Sequence, residues 1–182
     1  MSELVKRISE INISENVDKQ HVVDDIRTIM SSAGYDAVEI DDKRPWGGYL
    51  RFDNNKANLF VGDFFPDLSL DEARLGNSDA ELSPKILIVS PNQRLSWQYH
   101  NRRAERWAFL TEGCFDKSAT DEEQGVCTVN CGDVVQFAAC ERHRLIGSVA
   151  SYTVVAEIWQ HLNSNNLSDE DDIVRVSDDY SR

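Results

Sequence analysis

Residues 107–159, WAFLTEGCFDKSATDEEQGVCTVNCGDVVQFAACERHRLIGSVASYTVVAEIW, decide the fold. Short apolar runs stand at 107–110, 126–129, 134–137 and 153–159, and another precedes them at 86–89. Turn formers separate the runs: Pro91-Asn92, Glu112-Gly113, Gly125, Cys131-Gly132-Asp133 and Gly147-Ser148. Runs of this length and spacing suit strands and leave no room for crossover helices, which points to an antiparallel sandwich or barrel. Neither GxGxxG nor a phosphate-loop lysine motif occurs, so nucleotide folds are disfavoured.

Upstream the period changes. Val22, Val23, Ile26, Ile29, Met30 and Ala33 follow helical spacing, with Asp24, Asp25, Arg27 and Thr28 between them and Gly34 as a stop. This amphipathic helix needs a surface to cover, on its own chain or on a partner subunit. A shorter helix is signalled by the capping box Ser69-Leu70-Asp71-Glu72 and should end at Gly76. Near the end, Ser168-Asp169-Glu170-Asp171-Asp172 is an acidic run that reads as a solvated loop.

At 182 residues, 41% hydrophobic and 28% charged, the chain suits one domain with an appended arm. A net charge of −13 opposes binding to nucleic acid, although a local arginine cluster can still hold a small phosphorylated ligand. No apolar stretch approaches the roughly 20 residues of a membrane helix. Residues 1–10 lack the apolar centre of a signal peptide, so a soluble cytoplasmic protein is expected. The four cysteines form no CxxC pair and read as buried free thiols.

The chemistry concentrates around two histidines. In a strand, Gln98 and His100 point to one face, and Glu105 can return to it after a short bend. His143 follows the 134–137 run. An amide oxygen, two imidazoles and a carboxylate form a mixed N/O set for one divalent ion such as zinc, nickel, cobalt, manganese or iron. Spacing alone specifies this weakly. Arg94, Arg102, Arg103 and Arg106 fall within a thirteen-residue stretch whose one acid is Glu105, and guanidinium forks suit phosphate oxygens.

A larger pattern joins these residues. Residues 91–113 (PNQRLSWQYHNRRAERWAFLTEG) resemble the first cupin motif, with Asn92 at its turn glycine. Residues 132–147 (GDVVQFAACERHRLIG) resemble the second, with Ala138, Cys140 and Gly147 replacing its Pro, Gly and Asn. Three further blocks, Arg44-Pro45-Trp46-Gly47-Gly48-Tyr49, Leu95-Ser96-Trp97-Gln98-Tyr99-His100 and Glu170-Asp171-Asp172-Ile173-Val174-Arg175, are similar to those of type II phosphomannose isomerases. Asn101 and Arg102 depart from the family's consecutive histidines, and Ser181 from its closing glycine.

The resemblance implies a mainly β fold: a single cupin (double-stranded β-helix, jelly-roll) barrel at 41–182 behind a helical arm at 1–40. It also marks 53–83 as an insertion and makes the acidic tail a cover over the barrel mouth. Cupins of this kind often pair, which leans the arm toward contact with a second copy in a homodimer. The implied activity is metal-dependent isomerisation of a phosphorylated aldose and ketose, mannose 6-phosphate and fructose 6-phosphate first, through a cis-enediol. Gln98, His100, Glu105 and His143 would hold the metal, zinc first among the candidates. Lys85, Glu105 and Arg175 form the implied catalytic set, and Arg44, Arg94, Ser96, Arg103 and Arg182 the substrate-binding set. Lys85, Glu157 and His161 all remain candidates for the base. Alternatives are a non-catalytic sugar-phosphate-binding cupin, a cupin oxygenase, and an isomerase of another sugar, such as a heptose phosphate or a free pentose.

Overall fold

Strand alternation divides the apolar residues of this chain between two cores on opposite faces of one sheet. The computed structural model describes residues 2–180. Helices α1 (Glu3–Ser9) and α2 (Lys19–Ser32) lead into strands β1 (Ala37–Asp41) and β2 (Gly47–Phe52). Helices α3 (Ala57–Phe64) and α4 (Leu70–Ala73) follow. The remaining strands are β3 (Lys85–Val89), β4 (Trp97–Tyr99), β5 (Arg103–Phe109), β6 (Gly113–Ser118), β7 (Cys127–Val129), β8 (Val134–Phe137), β9 (Arg142–Ile146), β10 (Thr153–His161) and β11 (Val174–Ser177). One sheet runs β1-β2-β3-β10-β5-β8 and the other β11-β4-β9-β6-β7, with antiparallel pairing in both. This is the expected mainly β jelly roll of cupin type.

Between the sheets lie Leu87, Val89, Trp107, Phe109, Phe115, Phe137, Leu145 and Val155. Their neighbours Ile86, Ile88, Val154, Ala156 and Ile158 point the other way, into a second core roofed by the helices. Burial on both faces is why β3 and β10 read as nearly continuous apolar runs instead of alternating ones.

The roof is the arm itself. Val22, Val23, Ile26 and Met30 of α2 are buried in the second core, beside Leu4, Val5 and Ile8 of α1. The apolar stripe is therefore covered by its own chain. The line drawn between arm and barrel at residue 40 falls inside β1, which pairs with β2 from Ala37 opposite Phe52 to Asp41 opposite Tyr49. The arm also reaches forward. Lys19 Nζ donates to the carbonyls of Arg44 and Gly47 at 3.2 and 3.1 Å and so grips the loop before β2.

Residues 53–83 add α3 to the roof, with Phe60 and Phe64 packed at 4.6 Å between ring centroids and Tyr35 against Phe52. Both halves of the capping box at Ser69 and Glu72 form. The helix stops at Ala73, before the expected Gly76, because Leu75 and Gly76 both turn to positive φ. The cysteines are free, as expected, but Cys127 and Cys140 are exposed rather than buried. Among the described residues no helix is long and apolar enough to cross a membrane.

Candidate metal centre

The site forms where β4, β5 and β9 converge. Gln98 of β4 lies opposite His143 of β9, and the Cys140 N–H donates to the His100 carbonyl at 2.7 Å, which hitches the turn before β9 to the end of β4. Glu105 enters from the facing sheet. His100, Glu105 and His143 are all buried, and their ligand atoms lie within 4.8 Å of one another. His100 Nε2 is 3.1 Å from Glu105 Oε1, and His143 Nε2 is 3.3 Å from Glu105 Oε2. Phe137 stacks on the His143 ring at 4.6 Å.

The outer nitrogens settle the ring orientations. His100 Nδ1 lies against the Asp172 carbonyl and His143 Nδ1 against that of Glu141, at 2.9 Å for the second. A carbonyl oxygen only accepts, so each ring carries its proton on Nδ1 and turns Nε2 inward. Two inward nitrogens then face a carboxylate. Glu105 Oε2 and His143 Nε2 make no hydrogen bond, an uncompensated pairing for atoms so deeply buried. A proton on Nε2 relieves it for one ring; a divalent cation relieves it for both. Burial alone would raise the Glu105 carboxyl, but the His100 ring and the Arg103 guanidinium beside it outweigh burial and hold it well below its ordinary value. The donor set, its charge and its carbonyl-fixed rings fit a metal ion.

Most of the expected site residues meet in one cavity of about 140 Å³. Arg44, Lys85, Ser96, Gln98, His100, Arg103, Glu105 and Arg175 line it, together with Trp46, Tyr49, Leu87, Leu95, Glu157, Glu170 and Ile173. Gln98 Oε1 accepts from the Ser96 hydroxyl at 2.6 Å. A wider groove of about 590 Å³ between α2 and β1 holds none of these groups.

Several residues stand differently from expectation. Arg103 has a partner at each nitrogen: Nε on Glu105 at 2.9 Å, Nη1 on Ser168 Oγ and the Asp169 carbonyl, and Nη2 on His100 Nε2 at 3.3 Å. Stacked 3.8 Å over Trp159, it has four of its five N–H donors engaged, which leaves one on Nη2 at the cavity wall. Arg94 is drawn off the cleft by Asp179, at 2.7 and 3.1 Å. Arg182 lies outside the described residues. His161 is tied at both nitrogens, to the Glu81 carbonyl and the Ser168 N–H, and does not reach the cavity, so it drops out as a base.

Glu157 gains where His161 loses. Its two oxygens accept from the indoles of Trp107 and Trp159 at 2.9 and 3.2 Å, and Lys85 Nζ stands 3.9 Å away. Burial and then the charge of Glu105 push its carboxyl up to about 7. Lys85 lies 4.0 Å over the Trp159 ring and donates to Glu170 at 2.9 Å. Sequence reasoning missed Glu170, which the acidic run concealed, and Tyr49.

Fold and cluster define the class: a cupin-type jelly roll with a buried His–Glu–His metal-site candidate. No family model matches the chain, and no curated protein matches it significantly. Among solved structures the chain is similar to CapF, the capsular polysaccharide assembling protein of Staphylococcus aureus. Two crystal structures of CapF align at a TM-score of 0.50 and 10% identity, over 88% and 95% of this chain and 39% and 45% of theirs. The chain thus spans less than half the length of these CapF chains, and at this identity the likeness concerns the fold alone. A candidate sugar phosphate isomerase of Acidithiobacillus ferrooxidans aligns at 17% identity over 44% of this chain and 51% of its own. Its TM-score of 0.39 is too low to carry an argument. The likeness to CapF supports a cupin fold and does not single out the type II phosphomannose isomerases within it.

Proposed function

We propose that the chain is a metal-dependent aldose–ketose isomerase of a phosphorylated sugar, with mannose 6-phosphate and fructose 6-phosphate as the first pair to test. One observation carries the reading: buried Glu157, its oxygens held by the indole N–H groups of Trp107 and Trp159, faces the same cavity as His100 and Glu105 of the His–Glu–His cluster. Its carboxyl, pushed up to about 7 by burial and then by Glu105, suits a base poised near neutral pH. A metal held by His100, Glu105 and His143, with Gln98 beside them, would supply positive charge next to the sugar oxygens O1 and O2.

The chain's own residues carry the proton. Glu157 takes it from one carbon and returns it to the neighbouring one through a cis-enediol, while the two indole N–H groups hold its oxygens in place. Lys85, over Trp159, donates to an anionic oxygen of the ligand. The Arg175 guanidinium has no ion-pair or hydrogen-bond partner among the described residues, and with Arg44 it offers donors to the phosphate. Trp46, Leu87 and Leu95 keep the cavity dry. At about 140 Å³ the cavity is smaller than the ~300 Å³ of ordinary ligand sites, so Glu170 leaves Lys85 when a hexose phosphate enters.

The test is incubation of metal-loaded protein with mannose 6-phosphate in deuterated water. Deuterium at C1 of the fructose 6-phosphate formed supports the reading, and Glu157→Gln should abolish the conversion. If a panel of sugar phosphates binds and none is converted, the protein is a sugar-phosphate-binding cupin instead.

A further inference from the structure

Asp172 sits in an acidic run that composition assigns to solvent, yet it is buried while Asp169, Glu170 and Asp171 are exposed. Three of its contacts converge on the segment that carries His100. Its backbone carbonyl receives the His100 Nδ1 proton. Oδ1 accepts from the Asn101 N–H at 3.0 Å and Oδ2 from the Arg102 N–H at 2.9 Å. The Ser168 hydroxyl donates to Oδ2 at 2.7 Å and steadies the carboxylate from behind. Those bonds and the Arg102 charge outweigh burial and keep the carboxyl low.

The two candidate histidine ligands are therefore held by different means. His143 is fixed within its own turn, by a carbonyl two residues away. His100 is fixed by a residue 72 positions further along the chain. The two N–H groups that follow it stand at the bend between β4 and β5, where no strand partner satisfies them, and a carboxylate is a strong acceptor for such a pair.

We propose that Asp172, which is not a ligand, is the positioning residue of the metal centre: it clamps the bend after His100 and holds the ring with Nε2 toward Glu105. The inference rests on the metal-centre reading above. Outer partners of ligating imidazoles fix ring orientation, and their loss typically weakens metal binding about 10–100-fold.

The test uses the full chain with Asp172→Ala, Asp172→Asn and, as an exposed control, Asp171→Ala. Zinc affinity is measured by competition with a chromogenic chelator. In the metal-free protein, proton NMR follows the two Nδ1–H resonances, which are held against carbonyls whether the rings are neutral or cationic. Asp172→Ala should weaken zinc about 10–100-fold and speed solvent exchange of the His100 Nδ1–H, while the His143 Nδ1–H stays protected as an internal reference. Asp172→Asn keeps the shape but sets an NH₂ group against a backbone N–H, so it should show the same changes in smaller degree, and it carries the test if the alanine variant does not fold. Asp171→Ala should change neither readout. Unaltered zinc affinity and unaltered His100 exchange in both Asp172 variants would overturn the proposal. Should the wild-type chain bind no zinc, the metal reading fails, while selective loss of His100 protection still supports the positioning role and its absence still defeats it.

Discussion

His143 Nε2 and Glu105 Oε2 face each other at 3.3 Å with no hydrogen bond joining them, because His143 donates its Nδ1 proton outward to the Glu141 carbonyl. Two acceptors that close, both buried, form a pairing that a cation stabilises. Zinc at a hundredfold excess over its dissociation constant should add about 2.7 kcal/mol to the stability of the chain, read as a rise in the thermal midpoint. His100→Ala and His143→Ala should each abolish that rise while far-ultraviolet circular dichroism keeps the signature of the barrel.

Glu157 gives the metal-free protein a defined pH response. Its carboxyl stands at about 7 in the folded chain against an ordinary 4.5, so between those values the native state holds a proton that the unfolded chain has released. Its contribution is fully present below pH 4.5 and is lost as pH rises through 7. Glu157→Gln cannot ionise. Relative to the wild type it should therefore gain stability across that window, on the order of a few kcal/mol, as checked by urea unfolding at a series of pH values. A parallel pH dependence in the two proteins would remove Glu157 as the titrating group.

Releasing Lys85 should favour anionic ligands. The Glu170 side chain is 68% exposed, so its ion pair with Lys85 contributes less than about 1 kcal/mol to stability. Glu170→Gln should leave the melting temperature nearly unchanged and tighten binding of a phosphorylated sugar by a few-fold, about what such a weak competing pair is worth. Isothermal titration calorimetry reads both the affinity and any change in stoichiometry. Weaker binding in the variant would mean that Glu170 contacts the ligand instead of competing with it.

The arm should behave as core. Ile26 is fully buried under α2, and Ile26→Ala should cost about 2–5 kcal/mol, far more than a solvent-facing helix position. Light scattering on the same variant checks the other side of the argument, since a stripe covered by its own chain leaves the oligomeric state unchanged when the cavity is made.

What the sequence made legible was local. Motif spacing located His100, Glu105 and His143, and the two motif glycine positions taken by Asn92 and Cys140 keep left-handed backbone, at φ 59° and 62°. Periodicity showed that α2 had an apolar side but not what covers it, because the outer face of β3 and β10 is itself hidden inside unbroken apolar runs. Helix α3 has only two turns and a glycine, too short for a period to register. Arginine roles escaped for a related reason. The partner of Arg94 is 85 residues away and that of Arg102 is 67, and only the folded chain decides whether a guanidinium meets a carboxylate or stays free.

The grip of Lys19 on the Arg44 and Gly47 carbonyls gives α2 a stake in the geometry of the cleft. The loop it holds carries Arg44 and Trp46 into the cavity wall, and the Ser90 N–H binds the Trp46 carbonyl from the other side. Fraying of α2 would thus reach the pocket through this loop and the first residue of β2. Substitutions in the first helical turn, remote from every reacting group, would then register as changes in ligand affinity at constant barrel stability. Hydrogen exchange at the Gly47 amide, bonded across the turn to the Arg44 carbonyl, would keep time with the opening of the helix rather than with the unfolding of the sheet.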